Sequence, residues 1–358
     1  MSGARYERVR LAALGYQLAP VVVTTAELEA RLAPAYEALR IPEGQLEALT
    51  GIAERRFWEP GFLPSRGAAM AARKALAQAG LRPSDVEALV YAGVCRDELE
   101  PATACHVAAE VGVAPHAVVH DIGNACLGVL SGILDVANRI ELGQVKAGLV
   151  VSCESAREIV DAMIARMNGR RDMETFRLSL ATMTGGSGAA AVVVADRSLA
   201  TGRERDARRL LGGVAMTAPE HHLLCRWSAG GHGAGAGAGE PEGPFMSTAS
   251  VAVLRHGVDL GARTWAAFLE RLGWRASDVD RVVCHQVGSA HRDAILRAIE
   301  VPVERDFASV GHLGNMGTAA LPVAAALAEQ REFLRRGDRV GLLGIGSGLN
   351  CMMLGVAW

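Results

Sequence analysis

Aromatic side chains are scarce in this chain: Phe, Trp and Tyr together make up 4% of its 358 residues. A core built mainly from large rings is thereby excluded. Half of the residues are nonetheless apolar and 41 are glycine. That mix suits closely packed α/β layers in which Ala and Val fill the contacts between helices and sheets. An excess of charge of one sign is also lacking. The net charge is −2 and the isoelectric point about 6.6, so no broad basic surface is implied and nucleic acid is not an expected partner. No stretch reaches the roughly 18 apolar residues that a membrane span needs. Arg5, Arg8 and Arg10 ahead of Leu11–Leu14 imitate the opening of a signal peptide. Tyr16, Gln17 and Pro20 interrupt that run, so Val9–Leu18 is read as a first strand.

Cysteine is present but not in pairs. The seven thiols at 95, 105, 126, 153, 225, 284 and 351 are odd in number, widely spaced and free of C-x-x-C. A disulfide framework or zinc site is excluded on that pattern, and a reducing cytoplasm is the natural compartment. No metal and no resident cofactor are expected. The chain also lacks a Gly-x-Ser-x-Gly elbow and a His-Glu-x-x-His helix. Gly344-Ile-Gly346-Ser-Gly348 superficially resembles a phosphate loop. It precedes a final strand instead of joining a first strand to a helix, so a dinucleotide fingerprint is rejected.

What is there is an internal repeat. Gly80-Leu-Arg-Pro-Ser-Asp-Val86 reads closely like Gly273-Trp-Arg-Ala-Ser-Asp-Val279. Each copy follows a helix-like run and leads into a short apolar strand. Downstream, Gly123-Asn124-Ala125-Cys126 opens one apolar helix and Gly314-Asn315-Met316-Gly317 opens another. Strand-like runs at Lys146–Ser152 and Arg339–Gly346 follow, and each half closes on a last strand, Ala189–Ala195 and Asn350–Trp358. Strands alternating with helices predict an α/β fold with parallel sheets. The chain is long enough for two units of roughly 150 residues. We divide it at 1–200, carrying the cysteine loop, and 201–358. Two insertions distinguish the halves: a Met-rich helical segment at about 156–184, and a Gly/Ala-rich segment at 228–243 read as a mobile surface loop.

Three residues carry the chemistry. Cys126 stands at the start of Leu127–Leu142, whose apolar residues fall at helical spacing. A thiol at a helix N-terminus feels unsatisfied N–H groups and the positive end of the dipole, which favour its thiolate. The alternative is a packed core cysteine. His285 ends a strand at the place where the first copy has Ala92; the alternative is a satisfied core histidine. Asn315 lies in the loop that the repeat pairs with the Cys126 loop. Its amide can stabilise a carbonyl or enolate oxygen beside an imidazole, or it can simply cap a helix.

Taken in order, Asn124-Ala-Cys126-Leu127, His285-Gln286, Gly314-Asn315-x-Gly-Thr-Ala and Gly346-Ser-Gly348 resemble the ketoacyl-ACP synthase III branch of the thiolase superfamily. Within it, Arg96-Asp-Glu-Leu-Glu100-Pro-Ala-Thr-Ala104 and Leu342–Cys351 are similar to the OleA-type condensing enzymes of bacterial olefin synthesis. The resemblance runs from the first strand to Trp358. It implies a duplicated thiolase-like fold in αβαβα layers and a homodimer. It implies that Cys126 takes an acyl group from a fatty acyl-CoA, with coenzyme A as substrate carrier. The backbone N–H groups of Cys126 and Ser347 would form one oxyanion hole, and His285 with Asn315 a second. A second acyl thioester then condenses without decarboxylation, giving a 2-alkyl-3-oxoalkanoate. Such chemistry needs a base for the α-proton, and the resemblance assigns it to Glu100 reaching into the partner's site. Arg55 and Arg56, in Gly51–Trp58, match a segment that contacts CoA in synthase III enzymes. The Met-rich insertion is open to two readings, an adaptable alkyl channel or plain core. Downstream pathway enzymes are further possible partners. A decarboxylative synthase using malonyl-ACP and an acyltransferase to an alcohol or amine stay open at this point.

Overall fold

The structure is a computed structural model that describes residues 3–228 and 243–358. Of the Gly/Ala-rich segment 228–243, residues 229–242 lie outside the described residues. Strands follow in chain order: β1 (Gly3–Arg5), β2 (Val9–Leu18), β3 (Val21–Thr24), β4 (Glu54–Phe57), β5 (Ala88–Tyr91), β6 (Val118–Asp121) and β7 (Ala147–Glu154). Then come β8 (Gly188–Asp196), β9 (Arg209–Thr217), β10 (Cys225–Ser228), β11 (Phe245–Thr248), β12 (Arg281–Cys284), β13 (Arg339–Gly346) and β14 (Asn350–Ala357). The first strand read from sequence, Val9–Leu18, is β2 with the same bounds.

Ten strands form one sheet in the order β12-β13-β14-β9-β2-β8-β7-β5-β6, with β1 beside β9. The order is symmetric: β2, β8, β7 and β5 on one side mirror β9, β14, β13 and β12 on the other. The halves meet where Arg10 of β2 pairs with Arg209 of β9. The division at 200/201 falls in the connection between β8 and β9. The expected parallel sheets are corrected to a mixed sheet. Pairing is parallel for β5–β6, β5–β7 and β12–β13, and antiparallel for β7–β8, β2–β8, β13–β14 and β9–β14. The reason is connection length. β14 follows β13 after a turn of three residues, too short for the crossover a parallel pair requires.

Apolar burial sorts the helices into layers. Gly128–Glu141 and Ala320–Gln330 lie in the middle, where Val129, Ile133 and Val136 meet Leu321, Ala324 and Ala325 between the strands of both halves. Pro64–Ala79 and Thr103–Val111 cover the other face of the first half, against Leu89, Val151 and Val193. Ser250–Leu272 and Ser289–Ala298 do the same for the second half, against Val282, Leu343 and Met353. The result is the αβαβα stack. Ala is abundant in the helix Pro64–Ala79, where Ala68, Ala71, Ala72 and Ala75 are fully buried. Small side chains allow that close approach, which explains how a chain poor in aromatics fills its core.

The repeat is visible atom by atom. Gly80 and Gly273 end their helices with φ of 67° each, the left-handed geometry that glycine adopts without strain. Arg82 then closes a turn with Asp85, its N–H donating to the carboxylate at 2.9 Å and its Nη2 lying 2.8 Å from Oδ1. Arg275 and Asp278 repeat it at 2.9 and 2.9 Å.

Candidate active site

The two loops paired by the repeat converge on one cavity of about 930 Å³, whose lining includes Cys126, His285, Asn315 and Ser347. That volume is near the top of the range for small-molecule pockets. Behind Cys126, the helix Gly128–Glu141 presses on the end of β5: a methyl group at Gly128 would lie 2.0 Å from the carbonyl oxygen of Ala92. Only glycine permits that approach. Across the symmetry axis, the N–H of Val129 donates to Oγ1 of Thr318 at 2.7 Å, tying the starts of the two central helices together.

Cys126 sits in a single 3₁₀ turn, Ala125–Leu127, just ahead of the α-helix. Ala125 is forced to φ 43°, a left-handed conformation that costs a non-glycine residue energy and is characteristic of functional turns. Asn124 steadies the turn. Its Nδ2 donates to Ser131 Oγ at 2.9 Å, and its Oδ1 accepts from Asn350 Nδ2 at 3.0 Å. The second contact fastens the cysteine turn to the β13–β14 connection that carries Ser347. Gly346 lies against Cys126: a methyl group there would be in ordinary contact with the cysteine Cβ, at 3.6 Å.

The expected ready thiolate is corrected. Burial pushes the Cys126 thiol up to about 12, helped by the nearby Cys225 and Glu154, against a weaker pull from its own backbone N–H. Desolvation of the charge outweighs the helix end. The thiol therefore rests neutral, and attack by its sulfur would need a proton acceptor.

His285 is suited to that. It is 8% exposed, and burial with the neighbouring His291 pushes it down to about 4. Near neutral pH it is an uncharged imidazole with a lone pair available. Its backbone N–H donates to Leu343 O at 2.9 Å. Gln286, the next residue, bolts the loop in place: its Oε1 accepts from the N–H groups of Ser309 and Val310 at 2.8 and 3.1 Å, and its Nε2 donates to Cys284 O at 2.7 Å. This gives the His-Gln pair a physical reason. The Nδ1 of His285 is buried without a hydrogen-bond partner among the described residues.

Asn315 is held by the helical insertion of the first half. Its N–H donates to Thr184 O at 2.8 Å, and its own carbonyl accepts from Gly186 at 2.9 Å. The side-chain Oδ1 accepts from Gly317 N–H at 3.0 Å, which leaves the amide nitrogen as the donor for the cavity.

Two cavity groups were not legible in the sequence. Glu154 ends the fully buried strand β7 and is 3% exposed. Its carboxylate accepts from Val94 and Cys95 N–H at 2.9 and 3.2 Å. Burial pushes it up to about 6 against those hydrogen bonds. A lone carboxylate closing an apolar strand was the available signal. Cys225, at the start of β10, also lines the cavity, and nothing in its local sequence marked it.

The remaining predicted residues lie elsewhere. Glu100 is exposed on the loop after β5 and does not line the cavity of its own chain. Arg55 is corrected to a structural role. It is 0% exposed, donates to Thr25 Oγ1 at 2.8 Å and Met183 O at 3.1 Å, and is pushed down to about 10 by burial. It cannot meet a solvent-borne phosphate. Arg56 is half-buried, within 3.4 Å of Ala19 O, and does not line the cavity either. The charged guanidinium that lines the cavity from the first half is Arg96. Three of the four methionines of the insertion are core: Met163, Met167 and Met183 are buried with Leu28, Phe57 and Phe176, and Met173 is exposed. The insertion reaches the cavity through Ile159 and Leu180 instead.

Residues 66–180 match the thiolase N-terminal domain, and 269–358 match the C-terminal domain of 3-oxoacyl-[acyl-carrier-protein] synthase III. The chain is 53% identical over 356 residues to the acyl-CoA:acyl-CoA alkyltransferase of Shewanella oneidensis, covering 99% of this chain and 100% of that one. It is 34% identical to the Xanthomonas campestris protein of the same name, with 99% of each covered. Among solved structures it is similar to a cysteine-to-serine variant of Xanthomonas campestris OleA with bound lauric acid and lauroyl-CoA. There the TM-score is 0.90 at 34% identity, with 99% of this chain and 100% of that one covered. With this fold, this paired-loop cavity and identity running the length of the chain, the protein belongs to the acyl-CoA:acyl-CoA alkyltransferase (OleA) family of the thiolase superfamily.

Proposed function

We propose that the protein joins two fatty acyl-CoA thioesters by a non-decarboxylative Claisen condensation to a 2-alkyl-3-oxoalkanoate. The observation that carries this reading is the shared apolar cavity, in which a half-buried thiol, a neutral imidazole, a carboxamide and a backbone turn face one space.

His285 accepts the proton of Cys126, and the sulfur attacks the carbonyl carbon of the first acyl-CoA. The backbone N–H groups of Cys126 and Ser347 hold the oxyanion. The C–S bond to coenzyme A breaks, and CoA leaves as the thiol. The second acyl-CoA places its carbonyl oxygen against His285 and Asn315. A base removes its α-proton, and the carbanion attacks the acyl group on Cys126. The new C–C bond forms as the C–S bond to Cys126 breaks. Water then releases the oxo acid and the second CoA.

The base in this reading is Glu100 of a second copy of the chain. Its exposure on its own subunit, beside a Leu99 that is 99% exposed, supports a homodimer in which this loop is covered. β6, the outermost strand at that end of the sheet, offers an open edge next to it, a feature that a partner strand satisfies. Coenzyme A serves as carrier and no resident cofactor is invoked. A cytoplasmic setting is supported by seven cysteines that are all unpaired. Among the described residues no helix is long and apolar enough to cross a membrane.

The test is incubation with a panel of saturated acyl-CoAs. The expected result is an acyl adduct in the intact-protein mass, and a β-keto acid or its ketone breakdown product. No condensed product at any chain length would defeat the reading. A strict need for a malonyl thioester would select the decarboxylative alternative.

A further inference from the structure

A glycine inside a helix has three ordinary justifications: a left-handed backbone, a backbone pressed against it, or space that a side chain would fill. Gly257, on the helix Ser250–Leu272, is buried. It is not among the positive-φ residues, so the first justification fails. Among the described residues, a methyl group on it would meet one heavy atom within 4 Å, Cδ1 of Ile345 at 3.0 Å. That atom is the movable end of a side chain, so the second fails as well. Buried positions in a packed core touch many neighbours. The space in front of Gly257 is the active-site cavity, which Gly257 and Ile345 both line.

This wall lies beside the nucleophile. Ile345 immediately precedes Gly346, the residue that abuts Cys126. On the same helix face, Leu254, Val258 and Gly261 also line the cavity, at the spacing of helix neighbours. Gly261 differs in kind, because a methyl group there would strike Ile295 Cδ1 at 2.6 Å. At Gly261 the neighbouring helix closes the gap; at Gly257 the gap is open. The polar end of the same cavity holds His285, 8% exposed and with its Nδ1 unpartnered among the described residues. An apolar wall leading from a polar reacting point is the shape that receives a fatty acyl group.

We infer that Gly257 is a specificity-determining residue: it leaves room for the alkyl tail of a fatty acyl thioester between the helix Ser250–Leu272 and Ile345, and so sets the chain length accepted. The inference rests on the acyl-thioester reading above. A side chain at 257 occupies part of the cavity that Ile345 also lines, and no atom of Cys126, His285 or Asn315 lies within 4 Å of a methyl group placed there. Helix propensity favours alanine or leucine over glycine, so the substitution does not weaken the helix itself.

The experiment compares wild type with Gly257→Leu and Gly257→Ala on acyl-CoAs from octanoyl to palmitoyl. Acyl adducts are read by intact mass and condensed product by chromatography, with thermal melting to confirm folding. The expected result is a shift toward shorter chains. The palmitoyl-to-octanoyl ratio falls about tenfold or more for Gly257→Leu and less for Gly257→Ala, in line with what a few methylenes are worth in a closed apolar pocket. Folded variants with the wild-type chain-length profile overturn the inference. If Gly257→Leu does not fold, Gly257→Ala decides it by the same ratio. A wild-type protein that takes up no acyl group from any of these thioesters overturns the acyl-thioester reading instead, so the two failures are distinct.

Discussion

The first and second halves of this protein begin alike and end differently. Arg82–Asp85 and Arg275–Asp278 form the same turn with the same hydrogen bonds, and β5 and β12 follow them as short buried strands. Past the strands the copies diverge. Beyond Ala92, the helix Thr103–Val111 and β6 lead to a loop that carries a thiol; beyond His285, the helix Ser289–Ala298 leads on to a loop that carries a carboxamide. The duplicated parts are those that carry hydrogen-bonded scaffold. The diverged parts are the loop ends that face the junction. Neither half lines the cavity alone, because Cys126 belongs to one and His285 and Asn315 to the other. Even the support is crossed: Asn315 is clamped by Thr184 and Gly186 of the first half, and the cysteine turn is fastened to Asn350 of the second.

This division of labour can be broken one half at a time. The largest effect is expected from Cys126→Ala, which removes the first half's contribution outright. Intact mass after exposure to acyl-CoA is expected to show no adduct, although six other cysteines remain. Persistence of the adduct would show that the acyl group is carried elsewhere. Next comes Glu100→Ala. Acylation of Cys126 is expected to continue while condensation falls about a hundredfold or more, the usual scale for loss of a general base. Condensation at the wild-type rate removes Glu100 from the mechanism.

A third comparison sets two buried titratable groups of the cavity wall against each other. His285 titrates at about 4 in the folded chain against an ordinary 6.5. Between those values the unfolded chain binds a proton that the folded chain refuses, so stability rises with pH through the window and is lost as pH falls. The shift corresponds to about 3 kcal/mol. Glu154 titrates at about 6 against 4.5. The folded chain keeps a proton that the unfolded chain has shed, so this contribution, about 2 kcal/mol, is present below 4.5 and lost as pH rises through 6. His285→Asn is expected to flatten the rise and Glu154→Gln to remove the fall, both read from denaturant midpoints at pH 4 to 7. Unchanged profiles would place both groups in contact with water. The smallest effect is expected from Arg82→Ala and Arg275→Ala. Both act on exposed ion pairs at turn positions, where such contacts contribute little. Equal, small shifts in Tm would confirm that the two turns are energetically as well as geometrically equivalent. A large asymmetry would show that one turn has acquired a separate role.

Much of this molecule was readable before any fold was known, because its informative signals are local. The repeat, the last strands and the apolar helix after Cys126 are all patterns over a few to a dozen residues. Repeat logic alone put Asn315 opposite the Cys126 loop, and the structure brings both into one cavity. The sheet's mixed direction was hidden only by reading alternation as parallel pairing; the short β13–β14 turn contained the contrary signal.

By itself, then, the sequence determined the duplicated frame and which thiol, imidazole and carboxamide stand at its loop ends. Tertiary structure alone decided the acidity of Cys126, the burial of Arg55, the presence of Glu154 and Cys225 in the cavity wall, and the open space before Gly257. Each of these depends on how much water is excluded by segments distant in the chain, as with Arg55 enclosed by Thr25 and by Met183, 128 positions away. Desolvation belongs to the packed assembly and leaves no periodic mark on a single segment, which is why a local reading anticipates a residue's place more readily than its charge.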